Sequence, residues 1–177
     1  LPLNGMLTSL STNYNRRNKD VRLYELATIY IPKELPLAEL PDERQQFTLG
    51  MYGSGDFYTM KGVVEEFFDK IGMKKKPHYY PEAGKAFLHP GRQAEIIYDG
   101  TSVGEIHPDV ADNYKLGEKT YVAVLDMPSI LPNATFDHKY TGIAKYPAVT
   151  RDISMVMKKE ILAGQVEDII EQRGGKI

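Results

Sequence analysis

The chain has 177 residues, 42% hydrophobic and 26% charged, which places it among globular proteins and excludes a disordered one. Zero cysteines exclude a disulfide framework, a thiolate metal site and a cysteine nucleophile, and fit a reducing compartment. With 22 Lys+Arg against 24 Asp+Glu the formal net charge is -2, whereas a domain that grips nucleic acid through its phosphates carries a basic excess.

Leu3, Met6, Leu7, Leu10 and Tyr14 recur at amphipathic-helix spacing, behind a Pro2 that a first helical turn tolerates. Val21 to Ile31 is β-rich and apolar on both parities, as expected of a strand covered on both faces. A loop with Pro32, Pro36 and Pro41 leads to a short alternating strand, Phe47 to Tyr52. Gly53-Ser54-Gly55-Asp56 reads as a turn whose aspartate caps the next helix. That helix carries one apolar stripe, Met60, Val63, Val64, Phe67, Phe68 and Ile71, and stops at Gly72. Beyond the polar connector Lys74-Lys75-Lys76-Pro77, Glu95 to Tyr98 and Ser102 to Ile106 flank Asp99-Gly100, a strong hairpin signal. A short helix, Asp109 to Tyr114, enters through Pro108, and Tyr121 to Met127 reads as a buried strand.

Composition shifts after Pro128. Residues Pro128 to Gly142 read as a connecting arm, with a domain boundary near Thr141–Ala144. A new β-α unit follows: a strand from Ala148 to Met157 and a helix from Ile161 to Gln172 closed by Gly174. Strands and helices alternate irregularly and include hairpins, which favours an α+β fold on an antiparallel or mixed sheet. No apolar run approaches the roughly 20 residues of a membrane span. The first residues, Leu-Pro-Leu-Asn-Gly, carry no secretory pattern, and Arg-Gly-Gly-Lys-Ile ends the chain where another strand is expected. The expectation is a piece of a longer protein.

Motifs for chemistry are sparse. His78, His89, His107 and His138 form no HxH or HExxH pair, so no local metal spacing exists. His89, His107, Glu105 and Asp109 flank the predicted hairpin and are the candidates for a metal or acid-base cluster in a small hydrolase or transferase. The simpler expectation is that these imidazoles satisfy nearby backbone groups. Ser102, His107 and Asp109 have triad residue types without a G-x-S-x-G elbow. No nucleotide-cradling glycine loop occurs; Gly53-Ser54-Gly55 is the nearest imitation, and a turn explains it. Asn15-Arg16-Arg17-Asn18-Lys19 and Lys74 to Lys76 are short basic clusters of the kind that usually face solvent, with a stand-alone RNA-binding module as the competing reading. Arg151-Asp152, in an otherwise apolar strand, is expected to be a structural ion pair.

Four stretches in order carry a family resemblance. They are Asn15 to Leu26, containing Arg22-Leu-Tyr-Glu25; Asp56-Phe-Tyr-Thr-Met-Lys-Gly62; His89-Pro-Gly-Arg-Gln-Ala94 followed by Gly104-Glu-Ile-His-Pro108; and Lys145-Tyr-Pro-Ala-Val-Thr-Arg-Asp-Ile153. Together they resemble the β chain of bacterial phenylalanyl-tRNA synthetase over nearly the whole sequence. The resemblance implies a class II synthetase-like antiparallel sheet flanked by helices in residues 1–143. It also implies the truncated start of a ferredoxin-like anticodon-binding module in 144–177, with no tRNA binding by that piece alone.

In that family the α chain activates and transfers phenylalanine with ATP and magnesium, and the β copy of the core supports it. The implied setting is a cytoplasmic heterotetramer of two α and two β chains acting on tRNA(Phe), with no membrane. Magnesium ligands and the editing site are implied upstream, so no catalytic, cofactor or metal residue is expected here. Arg22 and Glu25 match the family's Arg-x-x-Glu strand element, but no glycine-rich strand-helix element ending in arginine accompanies them. Arg92 follows a single glycine and Arg173 lies in the second module. An apolar stripe left bare on the first helix, made of Leu3, Met6, Leu7, Leu10 and Tyr14, is the expected interface with the α chain.

Overall fold

The computed structural model describes residues 2–73, 77–81, 84–96, 101–137, 140, 142–143, 145–147 and 149–174. Its elements are α1 (Pro2–Asn15), β1 (Val21–Ile31), β2 (Asp42–Tyr52), α2 (Phe57–Lys70), β3 (Tyr79–Tyr80), β4 (Leu88–Ile96), β5 (Ser102–Ile106), α3 (Pro108–Asn113), β6 (Thr120–Asp126), α4 (Met127–Ile130) and α5 (Ala163–Gly174). The chain divides into two compact units, Leu1–Asp137 and His138–Ile177. Thr141 and Ala144, where the sequence suggests a boundary, lie outside the described residues, as do His138, Lys74 to Lys76 and the Asp99-Gly100 turn.

The first unit is a six-stranded sheet in the order β1-β2-β6-β5-β4-β3. Every ladder in it is antiparallel. This is the expected α+β architecture. Each face of the sheet has its own core. On one, α1 lays Met6, Leu7 and Leu10 over Val21, Tyr52, Val122, Leu88 and Ile106. On the other, α2 lays Met60, Val64 and Phe68 over Leu49, Met51, Ala94, Val103, Ala123 and Leu125. All residues of β5 and β6 are therefore buried.

Local chemistry sets the helix ends. Asp56 accepts from the Thr59 backbone N–H at 2.8 Å while the Thr59 hydroxyl accepts from Asp56 N–H, a reciprocal cap at the start of α2. Gly72, at φ +70, closes that helix beside Thr135; a Cβ there would stand 1.9 Å from the Thr135 carbonyl oxygen. Pro108 opens α3, and His107 caps it.

Several expectations need correction. The stripe on α1 is not bare: Leu10 is 0% exposed, Met6 and Leu7 are nearly as buried, and Leu3 and Tyr14 pack against the same core. The sheet of this same chain covers it. Conversely, β1 is not covered on both faces. It is an edge strand, and Tyr24, Leu26 and Tyr30 stand exposed because α2 packs over β5 and β6 and does not reach them. β2 begins at Asp42 rather than Phe47, β4 begins at Leu88, and the arm after Pro128 contains the rest of α4 and a 3-10 turn at Leu131–Asn133.

In the second unit, α5 forms where a helix was expected. The described part of the Ala148 to Met157 stretch is not a strand. Its apolar alternation is present, but a strand needs a neighbour to complete its backbone bonds, and among the described residues none pairs with it. Arg151 donates to the Thr150 carbonyl at 3.0 Å and forms no ion pair with Asp152 among the described residues.

Seating of α1 governs one face of the sheet. Leu10→Ala in the 177-residue chain is expected to cost about 3 kcal/mol of unfolding free energy, read from the urea midpoint at constant m-value. A loss below about 1 kcal/mol would mean that Leu10 is not packed as described.

Candidate functional site

Antiparallel register brings one polar row together across the sheet. Arg22 of β1 lies opposite Met51 of β2, Met51 opposite Tyr121 of β6, and Tyr121 opposite Glu105 of β5. Arg92 of β4 closes the row, donating from Nη1 to Glu105 Oε1 at 2.8 Å. Directly opposed residues share a face, and Met51 and Tyr121 assign this row to the α2 side.

The row ends in an arginine on β1 and another on β4. With strands about 4.8 Å apart, its two ends are separated by roughly 19 Å. The space between them is filled. Met51 and Tyr121 are buried. Gly55 of the turn before α2 approaches so closely that a Cβ there would meet Met51 Cε at 2.8 Å. Each arginine also has a carboxylate at hand. Glu105 is nearly buried and engages Arg92, itself 46% exposed at the rim. Asp20 lies near Arg22; its carboxyl is held below the usual range first by the Ser54 hydroxyl, which donates at 2.6 Å, and lastly by the Arg22 charge.

His89-Pro90-Gly91-Arg92 forms an irregularity in β4, where Leu88 pairs with Ile106 but Gln93 with Gly104. Such a bulge re-aims side chains, and here it accompanies the Arg92 guanidinium's contact with Glu105. His89 and His107 each bond locally. His89 Nδ1 accepts from Gly91 N–H at 3.1 Å, and His107 Nδ1 accepts from Asp109 N–H at 3.3 Å. Neither bonds Glu105 among the described residues, so each satisfies its own backbone. Ser102 is buried at the far end of β5, roughly 17 Å of strand from His107, too far for a triad. Among the described residues no group of three metal-ligating side chains gathers. Gly53 takes φ +107 and leaves no room for a Cβ beside Lys19, as a turn requires. No helix is long and apolar enough to cross a membrane among the described residues.

A cavity of about 380 Å³ lies along β1, lined by Pro2, Gly5, Glu25, Ala27, Thr28, Ile29 and Tyr30. Glu25, the second half of the Arg-x-x-Glu element, therefore faces the start of α1, away from the polar row.

The matched family is described as the phenylalanyl tRNA synthetase beta chain CLM domain, and it covers residues 2–127. The chain belongs to this family. The phenylalanine–tRNA ligase beta subunit of Clostridium acetobutylicum is 39% identical over 99% of this chain and 22% of its own length. That of Bacillus subtilis is 34% identical over 98% of this chain and 23% of its own. The chain thus spans about a fifth of the curated relatives it matches. In fold it resembles the pyrrolysyl-tRNA synthetase of Desulfitobacterium hafniense, with a TM-score of 0.53 over 72% of this chain and 46% of that one, at 13% identity. The class II synthetase fold implied by the sequence is therefore present.

Three tyrosines give this core a pH dependence on the alkaline side. Burial, first, raises the hydroxyl pKa of Tyr52, Tyr79 and Tyr121 above the ordinary 10; the negative charges of Glu118, Glu65 and Glu105 respectively raise it further. A phenol that ionises later when folded binds more protons in the native state at high pH. Its stabilising contribution is complete below about pH 10 and is lost as the pH climbs through the folded value. Urea unfolding at stepped pH should show stability falling above about pH 10. Tyr121→Phe should make that fall shallower, and an unchanged slope would refute the assignment.

Proposed function

We propose that this chain is the core-like, non-catalytic part of a phenylalanine–tRNA ligase beta subunit, which supports a catalytic alpha subunit in the ATP-dependent charging of tRNA(Phe). The observation that carries the reading is the closed sheet. A class II core of catalytic type must leave one face of its central strands open to an adenylate and surround it with cations. Here every residue of β5 and β6 is buried, with α2 over one face and α1 reaching the other at Ile106 and Val122, and the arginines of the polar row sit at its opposite ends, each beside a carboxylate. Electrostatic stabilisation of a developing phosphate charge needs preorganised donors converging on one point. ATP and magnesium, in this reading, belong to the rest of a cytoplasmic assembly of two alpha and two beta chains. Leu3, Met6, Leu7, Leu10 and Tyr14 serve the alpha-chain contact indirectly, by holding β1 and β2 against α1.

The test uses the alpha–beta holoenzyme and phenylalanine-dependent ATP–pyrophosphate exchange. Arg22→Ala in the beta chain, and separately Arg92→Met combined with Glu105→Gln so that no charge is stranded, should leave kcat within about twofold of the parent. A fall of about a hundredfold, the scale seen when a charge-stabilising donor is removed, would overturn the non-catalytic assignment.

A further inference from the structure

β1 and β2 extend past the sheet that supports them. β2 pairs with β6 only from Gln46 to Tyr52, whereas its ladder with β1 continues out to Ile31 and Asp42. Asp42, Glu43, Arg44 and Gln45 therefore pair with β1 alone, and the ten-residue connection Pro32 to Pro41 lies further out still. A two-stranded ribbon is marginal in water without a third strand or a packed face. Arg44 fastens its foot, donating to the buried carboxylate of Asp126 at 2.7 Å. Beyond that point the arm has apolar surface and little to cover it: Leu40 is 86% exposed, with Tyr30, Ile31, Leu35 and Leu37 exposed alongside.

The charge on the arm selects among occupants. From Pro32 to Arg44 it carries Glu34, Glu39, Asp42 and Glu43 against Lys33 and Arg44. Lys33 is paired with Glu39 at 2.9 Å and Arg44 with Asp126, so the residual charge is that of Glu34, Asp42 and Glu43. An acidic tip studded with leucines repels a phosphate backbone and suits a protein surface that is apolar at its centre and basic at its rim. The basic cluster Arg16, Arg17 and Lys19 lies at the other end of β1.

We infer that the projecting β1–β2 arm is a docking element for the alpha chain, which receives Leu35, Leu37 and Leu40 in an apolar cleft bordered by basic side chains. This rests on the alpha-chain partnership proposed above. It transfers the direct contact from α1, whose stripe is consumed by the core, to a part of the chain that is free to make it.

Hydrogen–deuterium exchange on the full-length beta chain, alone, with the alpha chain, and with tRNA added to the complex, tests the inference. Amides of the connection from Lys33 to Leu40, which lies outside the β1–β2 ladder, should exchange slowly only once the alpha chain is bound. The combined variant Leu35→Ser, Leu37→Ser and Leu40→Ser, which touches exposed positions only, should weaken alpha–beta association about tenfold or more, as loss of interface anchors does. Glu34→Lys with Asp42→Lys should slow association at low salt. Protection already present in the isolated beta chain would assign the arm to an intrachain contact and overturn the inference. Protection that waits for tRNA would assign it to RNA, with the same result. A complex that forms with the arm still exchanging freely overturns the arm's role and leaves the alpha-chain partnership standing; failure of the two full-length chains to associate overturns both.

Discussion

The unit depends on how closely α1 approaches β2. Gly50 has no side chain, and a Cβ there would stand 2.8 Å from Met6 Sδ and 2.9 Å from Leu10 Cδ1. Removing that one carbon lets the helix sink until Met6, Leu7 and Leu10 reach Tyr52 and Val122. With α1 on this face and α2 on the other, the central strands are buried on both sides and largely apolar, with Thr48, Ser102, Glu105, Thr120 and Asp126 as buried polar exceptions. A sheet packed to interior density transmits any change at Gly50 or on α1 to the strands beneath.

The parts of this design visible in the sequence are those whose period is set by a single helix or a fully buried strand. The stripes of α1 and α2, the apolar run of β6 and the capping Asp56 depend on neighbours a few residues away. The row from Arg22 to Arg92 depends on register instead. Each residue can be singled out in the sequence, but that Tyr121 and Met51 lie between the arginines follows only from ladders linking positions up to 99 apart, as for Arg22 and Tyr121. Sequence reading also mistook what apolar residues face. Leu7 and Leu10 looked like an open surface and are core, while Tyr24 and Leu26 looked like core and are open surface. Hydrophobicity indicates that a side chain gains from cover; it does not indicate whether this chain supplies the cover.

The misplaced strand boundaries have a related cause. Asp42 to Gln45 read as loop because solvent lies on both faces of the projecting ribbon, which removes the alternation that marks a half-buried strand. The stretch ending at Met157 makes the opposite case. It has the alternation of a strand, yet none of its described residues has a partner, and backbone groups bonded to water need no ladder.

Charge distribution follows the same logic at larger scale. A net charge of -2 suggests a chain with no electrostatic preference. Yet Arg16, Arg17 and Lys19 sit before β1 and Glu34, Asp42 and Glu43 sit at its far end, separated by an eleven-residue strand that spans roughly 35 Å. That separation is several times the Debye length of about 8 Å at physiological ionic strength. A partner at one end therefore feels only that end. The whole-chain sum is the wrong quantity for deciding what binds here, and the local sum, negative around a set of exposed leucines, is the relevant one.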